Sequence, residues 1–108
     1  MTVHFIVRAE VRDPADRDPF DRWYETEHLP DAHRRFGVRK AWRGWSHDEP
    51  LVHFAGYEFD SLEAAEAILR SPVLAGLVAE FDATWGDRVT RSREIVPAAQ
   101  TIESAETR

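Results

Sequence analysis

The sequence predicts an α+β domain with the element order β-α-β-β-α-β, and three observations lead there. Four stretches, residues 2–11, 38–46, 51–59 and 88–96, place apolar side chains as strands do. Between the first two strands, Phe20, Trp23 and Tyr24 fall at i, i+3 and i+4, one face of a helix. Between the last two, residues 62–85 carry helical spacing behind the cap signal Asp60-Ser61-Leu62-Glu63. A chain of 108 residues holds one such domain. Residues 1–96 account for it, and 97–108 read as a polar tail.

In the first strand Val3, Phe5, Val7 and Ala9 point to one side, and His4, Ile6 and Arg8 to the other. Asp18 is a suitable N-cap and Pro19 a suitable first helical residue, so the first helix is expected to start there. Pro30 disfavours helical geometry at Leu29 and is expected to stop or kink that helix. A short turn then ends at Gly37, a left-handed cap. In the second strand Trp42 and Trp45 are an odd number apart and face opposite sides. In the third, His53, Tyr57 and Phe59 share a face and Phe54 takes the other. Ser71-Pro72 restarts the second helical region with Val73, Leu77, Val78, Phe81 and Trp85 along its stripe, and Gly86 closes it.

This order is the ferredoxin-like unit, an antiparallel four-stranded sheet with helices on one face. Two helical segments cover one side of the sheet, yet the strands are apolar on both. The uncovered side would be a larger patch than monomers tolerate, so a second copy is the expected cover and the protein a homodimer.

Composition excludes several classes. The net charge is −6 and no basic stripe occurs, which argues against nucleic acid. There is no Cys, so disulfides, thiolate metal sites and a Cys nucleophile are out. His28 and His33 are badly spaced for one metal, and Glu25 with His28 makes only half a carboxylate-bridged site, so no metal is expected. No apolar run approaches the roughly 18 residues of a membrane helix, and no charged lead precedes an apolar core at the N-terminus. A cytoplasmic protein is the expectation.

The stretch from Phe20 to Pro30 is the candidate site. Aromatic walls beside titratable groups, Tyr24, Glu27 and His28, at a helix irregularity suit a small-molecule pocket. The pattern Phe20-x-x-Trp23-Tyr24-x-x-Glu27-His28-x-Pro30, with Ser71-Pro72 and Phe81-Asp82-x-x-Trp85, resembles the dimeric α/β-barrel superfamily. It is most similar to the EthD-like branch, over residues 2–96. The resemblance implies a pocket in each subunit between the helices and their own sheet. It also implies a barrel of two facing sheets, and activities that range from cofactor-free oxygenation to cyclisation, isomerisation and haem handling.

In plant polyketide cyclases of this superfamily a first-strand His and an aliphatic residue line that pocket, and His4 and Ile6 stand at the matching positions. The cyclases' catalytic Tyr and His fall at Ile68 and Leu74, so their mechanism does not carry over. Chemistry would then rest on His28, Tyr24, Glu27 and His4, with Ile6, Phe20, Trp23, His53 and Trp85 around the substrate. A His near its ordinary pKa moves protons at neutral pH, a neighbouring Glu can orient it, and a Tyr can hydrogen-bond an enolate or phenolate. The expected function is therefore a cofactor-independent enzyme acting by proton transfer on an aromatic or polyketide-like compound. The alternative is a binding protein for a hydrophobic metabolite or a haem, with His28 or His4 as axial ligand. For His53 the simpler reading is a residue hydrogen-bonded within the sheet, for Trp85 a core residue, and for Arg91 and Arg93 a balance to acids.

Overall fold

In a computed structural model, residues 1–104 are described, and the last four residues of the expected tail lie outside them. Strands β1 (Val3–Val11), β2 (Lys40–Trp45), β3 (Val52–Phe59) and β4 (Val89–Pro97) form one sheet in the order β2-β3-β1-β4. Every neighbouring pair is antiparallel. This is the ferredoxin-like arrangement, and its register aligns the inward positions across the sheet. Phe5 on β1 lies opposite Tyr57 on β3 and Ile95 on β4, and Ala9 lies opposite His53 and Arg91.

The helices are α1 (Arg17–Trp23), α2 (Leu29–Phe36), α3 (Leu62–Leu69) and α4 (Pro72–Trp85). The core sits between them and the sheet: Val3, Phe5, Ala9 and Val11 of β1 meet Phe20, Tyr24, Phe36, Leu77 and Phe81. Phe20 is the hub, with ring centroids of Trp45, His53, Phe81 and Trp85 all within 5.9 Å.

Several boundaries differ from the sequence reading. Helix α1 starts at Arg17 rather than Pro19, because a 3-10 turn over Pro14–Asp16 precedes it. That turn is capped by Asp13, whose Oδ1 accepts from the Ala15 N–H at 2.9 Å. Ser61, not Asp60, caps α3: its Oγ accepts from Ala64 N–H at 3.0 Å. Pro30 does not stop the helix. Leu29 keeps right-handed helical angles (φ −66°, ψ −46°) and the chain stays helical to Phe36. Gly37 does end it, in the left-handed region at φ +67°, with its N–H shared between the His33 and Arg34 carbonyls.

On the helix-free face lie His4, Ile6, Phe54, Val96 and Trp42, the last 43% exposed. The indole of Trp42 lies against the backbone of Gly56, where an added Cβ would be 2.3 Å from Nε1. Trp45, by contrast, turns inward to the core, as the odd spacing requires. Among the described residues no helix is long and apolar enough to cross a membrane.

Candidate functional site

The site begins with a change of helical pitch. Between α1 and α2, residues Tyr24–His28 wind as a π-helix, and the Leu29 N–H donates to the Tyr24 carbonyl five residues back. Pro30 has no N–H to give to the preceding turn, and its ring would press on the carbonyl four residues earlier in a regular α-helix. The wider turn accommodates both problems without ending the helix, so the expected stop becomes a π-turn. Such turns recur at functional sites.

The π-turn aims His28. Its imidazole stacks on Trp23 at 4.6 Å between centroids, with the planes 17° apart. Tyr24 meets it edge-on at 4.9 Å and Phe81 of α4 at 5.6 Å. Burial, reinforced by the nearby Arg91 charge, lowers its pKa from 6.5 to about 4, against the opposing pull of Asp31 and Glu80. The imidazole is therefore uncharged at neutral pH.

His28 borders a cavity of about 360 Å³ between the helices and the sheet. Phe5, Phe36, Tyr57 and Phe81 supply aromatic walls, Leu74 and Leu77 aliphatic ones, and Tyr24 a hydroxyl. Burial raises the Tyr24 pKa to about 12, and the Tyr57 hydroxyl beside it lowers Tyr24 in part while Tyr57 itself is pushed higher still. Both phenols are thus protonated donors at neutral pH. On the β4 side the lining is polar, with Arg91, Ser92 and Arg93 from the strand and Asp82 from α4. Arg91 donates to Asp82 Oδ1 at 2.6 Å and lies 3.9 Å over the Phe81 ring, a cation–π contact that fixes the guanidinium at the cavity. Two arginines and one aspartate leave this wall positive in a chain of net charge −6.

A wider depression of about 410 Å³ on the outer side of the π-turn has mostly exposed walls, including Glu25, Pro30 and Arg39, and is a surface groove.

Of the residues expected at the site, the structure brings His28 and Tyr24 to the cavity and leaves the others elsewhere. Glu27 is exposed on the outer side of the π-turn, and Asp31 and Glu80 are the acids that act on His28 instead. His4 and Ile6 are on the helix-free face, because the β1 residues turned toward the cavity are Phe5 and Val7. Phe20 and Trp85 are buried core, and Trp23 backs His28 without lining the cavity. His53 is fully buried beneath Phe20 and Tyr24, its Nε2 3.1 Å from Arg43 Nη1. Arg43 can only donate, so Nε2 accepts and Nδ1 carries the proton, without a hydrogen-bond partner among the described residues. Burial and Arg43 bring its pKa to about 4. Asp21 completes this group, accepting from Trp45 Nε1 at 2.8 Å and Arg43 Nη1 at 2.9 Å, the Trp45 bond being the main reason its pKa is lowered.

Arg91 was legible as an acid's partner, which it is, but not as a cavity residue. The signal lay in strand parity: Val89, Arg91, Arg93 and Ile95 alternate onto one face, and the apolar ends mark that face as inward.

No protein-family model matches the sequence, and no curated protein matches it. Solved structures do. An EthD family protein from Bacillus halodurans aligns at TM-score 0.69 with 19% identity, over 91% of this chain and 99% of its own. A candidate antibiotic biosynthesis monooxygenase from Deinococcus radiodurans aligns at 0.71 with 14% identity, over 98% and 100%. SnoaB, a cofactor-independent oxygenase from Streptomyces nogalater, aligns at 0.65 with 19% identity, over 95% and 98%. The chain has the fold these proteins share, a ferredoxin-like unit.

Proposed function

We propose that this protein is a cofactor-independent enzyme that moves a proton on a small aromatic or polyketide-like molecule held in the cavity, and that it works as a homodimer. One observation carries the reading: an uncharged imidazole, His28, and a guanidinium, Arg91, converge on one aromatic-walled cavity. His28 accepts a proton from an aryl hydroxyl or from carbon next to a carbonyl. Arg91 and the protonated Tyr24 hydroxyl stabilise the oxyanion left behind. The resulting enolate or phenolate is the common intermediate of cyclisation, isomerisation and carbanion oxygenation; in decarboxylation the same enolate forms as CO2 leaves and is then protonated on carbon. The fold shared with a cofactor-independent oxygenase agrees with this chemistry.

Magnitudes decide whether so weak a base suffices. Moving a proton from a phenol of pKa about 10 to an imidazole of pKa about 4 is uphill by roughly 8 kcal/mol. An oxyanion about 4 Å from each of two cations gains about 4 kcal/mol per pair at the effective dielectric of a protein site. The new imidazolium and Arg91 are those two cations, and together they offset the deficit.

A second reading is favoured by the same depressed basicity: a pocket that holds a hydrophobic metabolite or a haem without turning it over. Turnover separates the two. Hydroxyaryl ketones and quinols, followed by absorbance and oxygen uptake, should be consumed by the wild type. His28→Gln should fold and dimerise normally but lose at least about a hundredfold in rate, the low end of general-base contributions. Binding without consumption by either protein would leave the non-catalytic reading in place.

A further inference from the structure

We propose that Pro30 is a positioning residue for His28: by imposing the π-turn over Tyr24–His28 it turns the imidazole under Trp23 and toward the cavity. Pro30 is exposed and takes no part in the hydrophobic core, so packing does not explain a proline inside a helical run of twenty residues from Arg17 to Phe36. In an uninterrupted α-helix it would be an interior residue, the least favourable place for proline. With Leu29 N–H bonded to the Tyr24 carbonyl, Pro30 falls instead in the first turn of α2, where a missing donor is tolerated.

The consequence for His28 is geometric. A regular α-helix sets residues five apart about 140° from each other around the axis. Trp23 and His28 are five apart, yet their rings are stacked, and Phe81 closes the imidazole from the α4 side. Only a wider turn brings these two side chains onto one face. Restoring α-helical pitch would carry His28 out of the stack and toward solvent while leaving Tyr24 in the core. The inference concerns the aim of one side chain and stands whether or not the cavity is catalytic.

The test is a Pro30→Ala substitution in the full chain, read by NMR titration of the histidine rings and by contacts between the His28 and Trp23 protons. The charged and titratable groups that act on His28 are Arg91 on β4, Glu80 on α4, Asp31 and Arg35 on α2, and Arg91 adds to burial in holding its pKa down. His53 on β3 couples to it as well. All of them remain in the variant. The variant is expected to stay folded by circular dichroism and to lose the His28–Trp23 contacts. Its His28 pKa should rise from about 4 by at least one unit toward the ordinary 6.5. Pro30→Ser, which also restores the N–H, should behave in the same way. Unchanged His28 contacts and titration in the folded variants would overturn the proposal, as would a wild-type His28 that titrates at its ordinary value. Global unfolding of both variants would overturn it too, since the proline would then hold the fold rather than aim one ring.

Discussion

His28 and His53 are held uncharged by burial, with a guanidinium next in each case, Arg91 for the first and Arg43 for the second. This links the site to stability. Each has a folded pKa of about 4 against 6.5 when exposed, so below pH 6.5 the unfolded chain binds the additional proton. Stability is therefore whole above about pH 6.5 and falls as the pH drops toward 4, by roughly 3 kcal/mol per histidine at the lower end. Urea unfolding at several pH values should show this decline, and His28→Leu should flatten its slope by about one proton. The same residues show what a sequence can reveal at this scale. Tyr24 and His28 were legible because the aromatic stripe marks the buried face and His28 adjoins it. Glu27 falls seven residues after Phe20, a spacing that shares a face only at α-helical pitch, so the π-turn carries it away from the aromatic stripe beside which it was expected. His4 and Ile6 were placed at the cavity by resemblance, against the parity of their own strand, and the parity was the better guide.

At the level of elements, the order of strands and helices along the chain and the Gly37 and Gly86 ends were legible, since each rests on local periodicity or on a backbone conformation only glycine adopts easily. The fate of Pro30 was not. A proline rule states which hydrogen bond is lost, while the replacement bond depends on how firmly both flanking segments are packed. Tyr24 and Phe36, each buried on either side of the turn, pin the two segments to the sheet and leave re-pitching as the available response. Packing also fixes the β2–β3 pair. Because Trp42 occupies the space above Gly56, Gly56→Ala must displace the indole or shift the strand. The expected cost is about 1–3 kcal/mol, the usual range for overpacking, measurable by thermal unfolding together with a change in tryptophan fluorescence.

For the whole molecule, one sheet face is covered by helices, and the other carries Ile6, Phe54, Trp42 and Val96 with no helix over them among the described residues. The proposed dimer covers that face. Light scattering should give about 25 kDa, twice the 12.5 kDa chain. Phe54→Asp, which would bury an unpaired charge, should yield monomer or insoluble protein. A wild type that stays monomeric at micromolar concentration would remove the dimer and leave the cavity as the single chain forms it. The proposed function requires that this cavity ionise an acidic aromatic molecule by proton transfer to His28 beside Arg91. It is tested most directly by the absorbance of 2-naphthol bound to the protein at pH 7, where free naphthol is neutral. The naphtholate band should appear with the wild type and vanish with His28→Gln and with Arg91→Gln. Naphthol that binds the wild type and stays neutral, or ionises equally well without His28, would contradict the account.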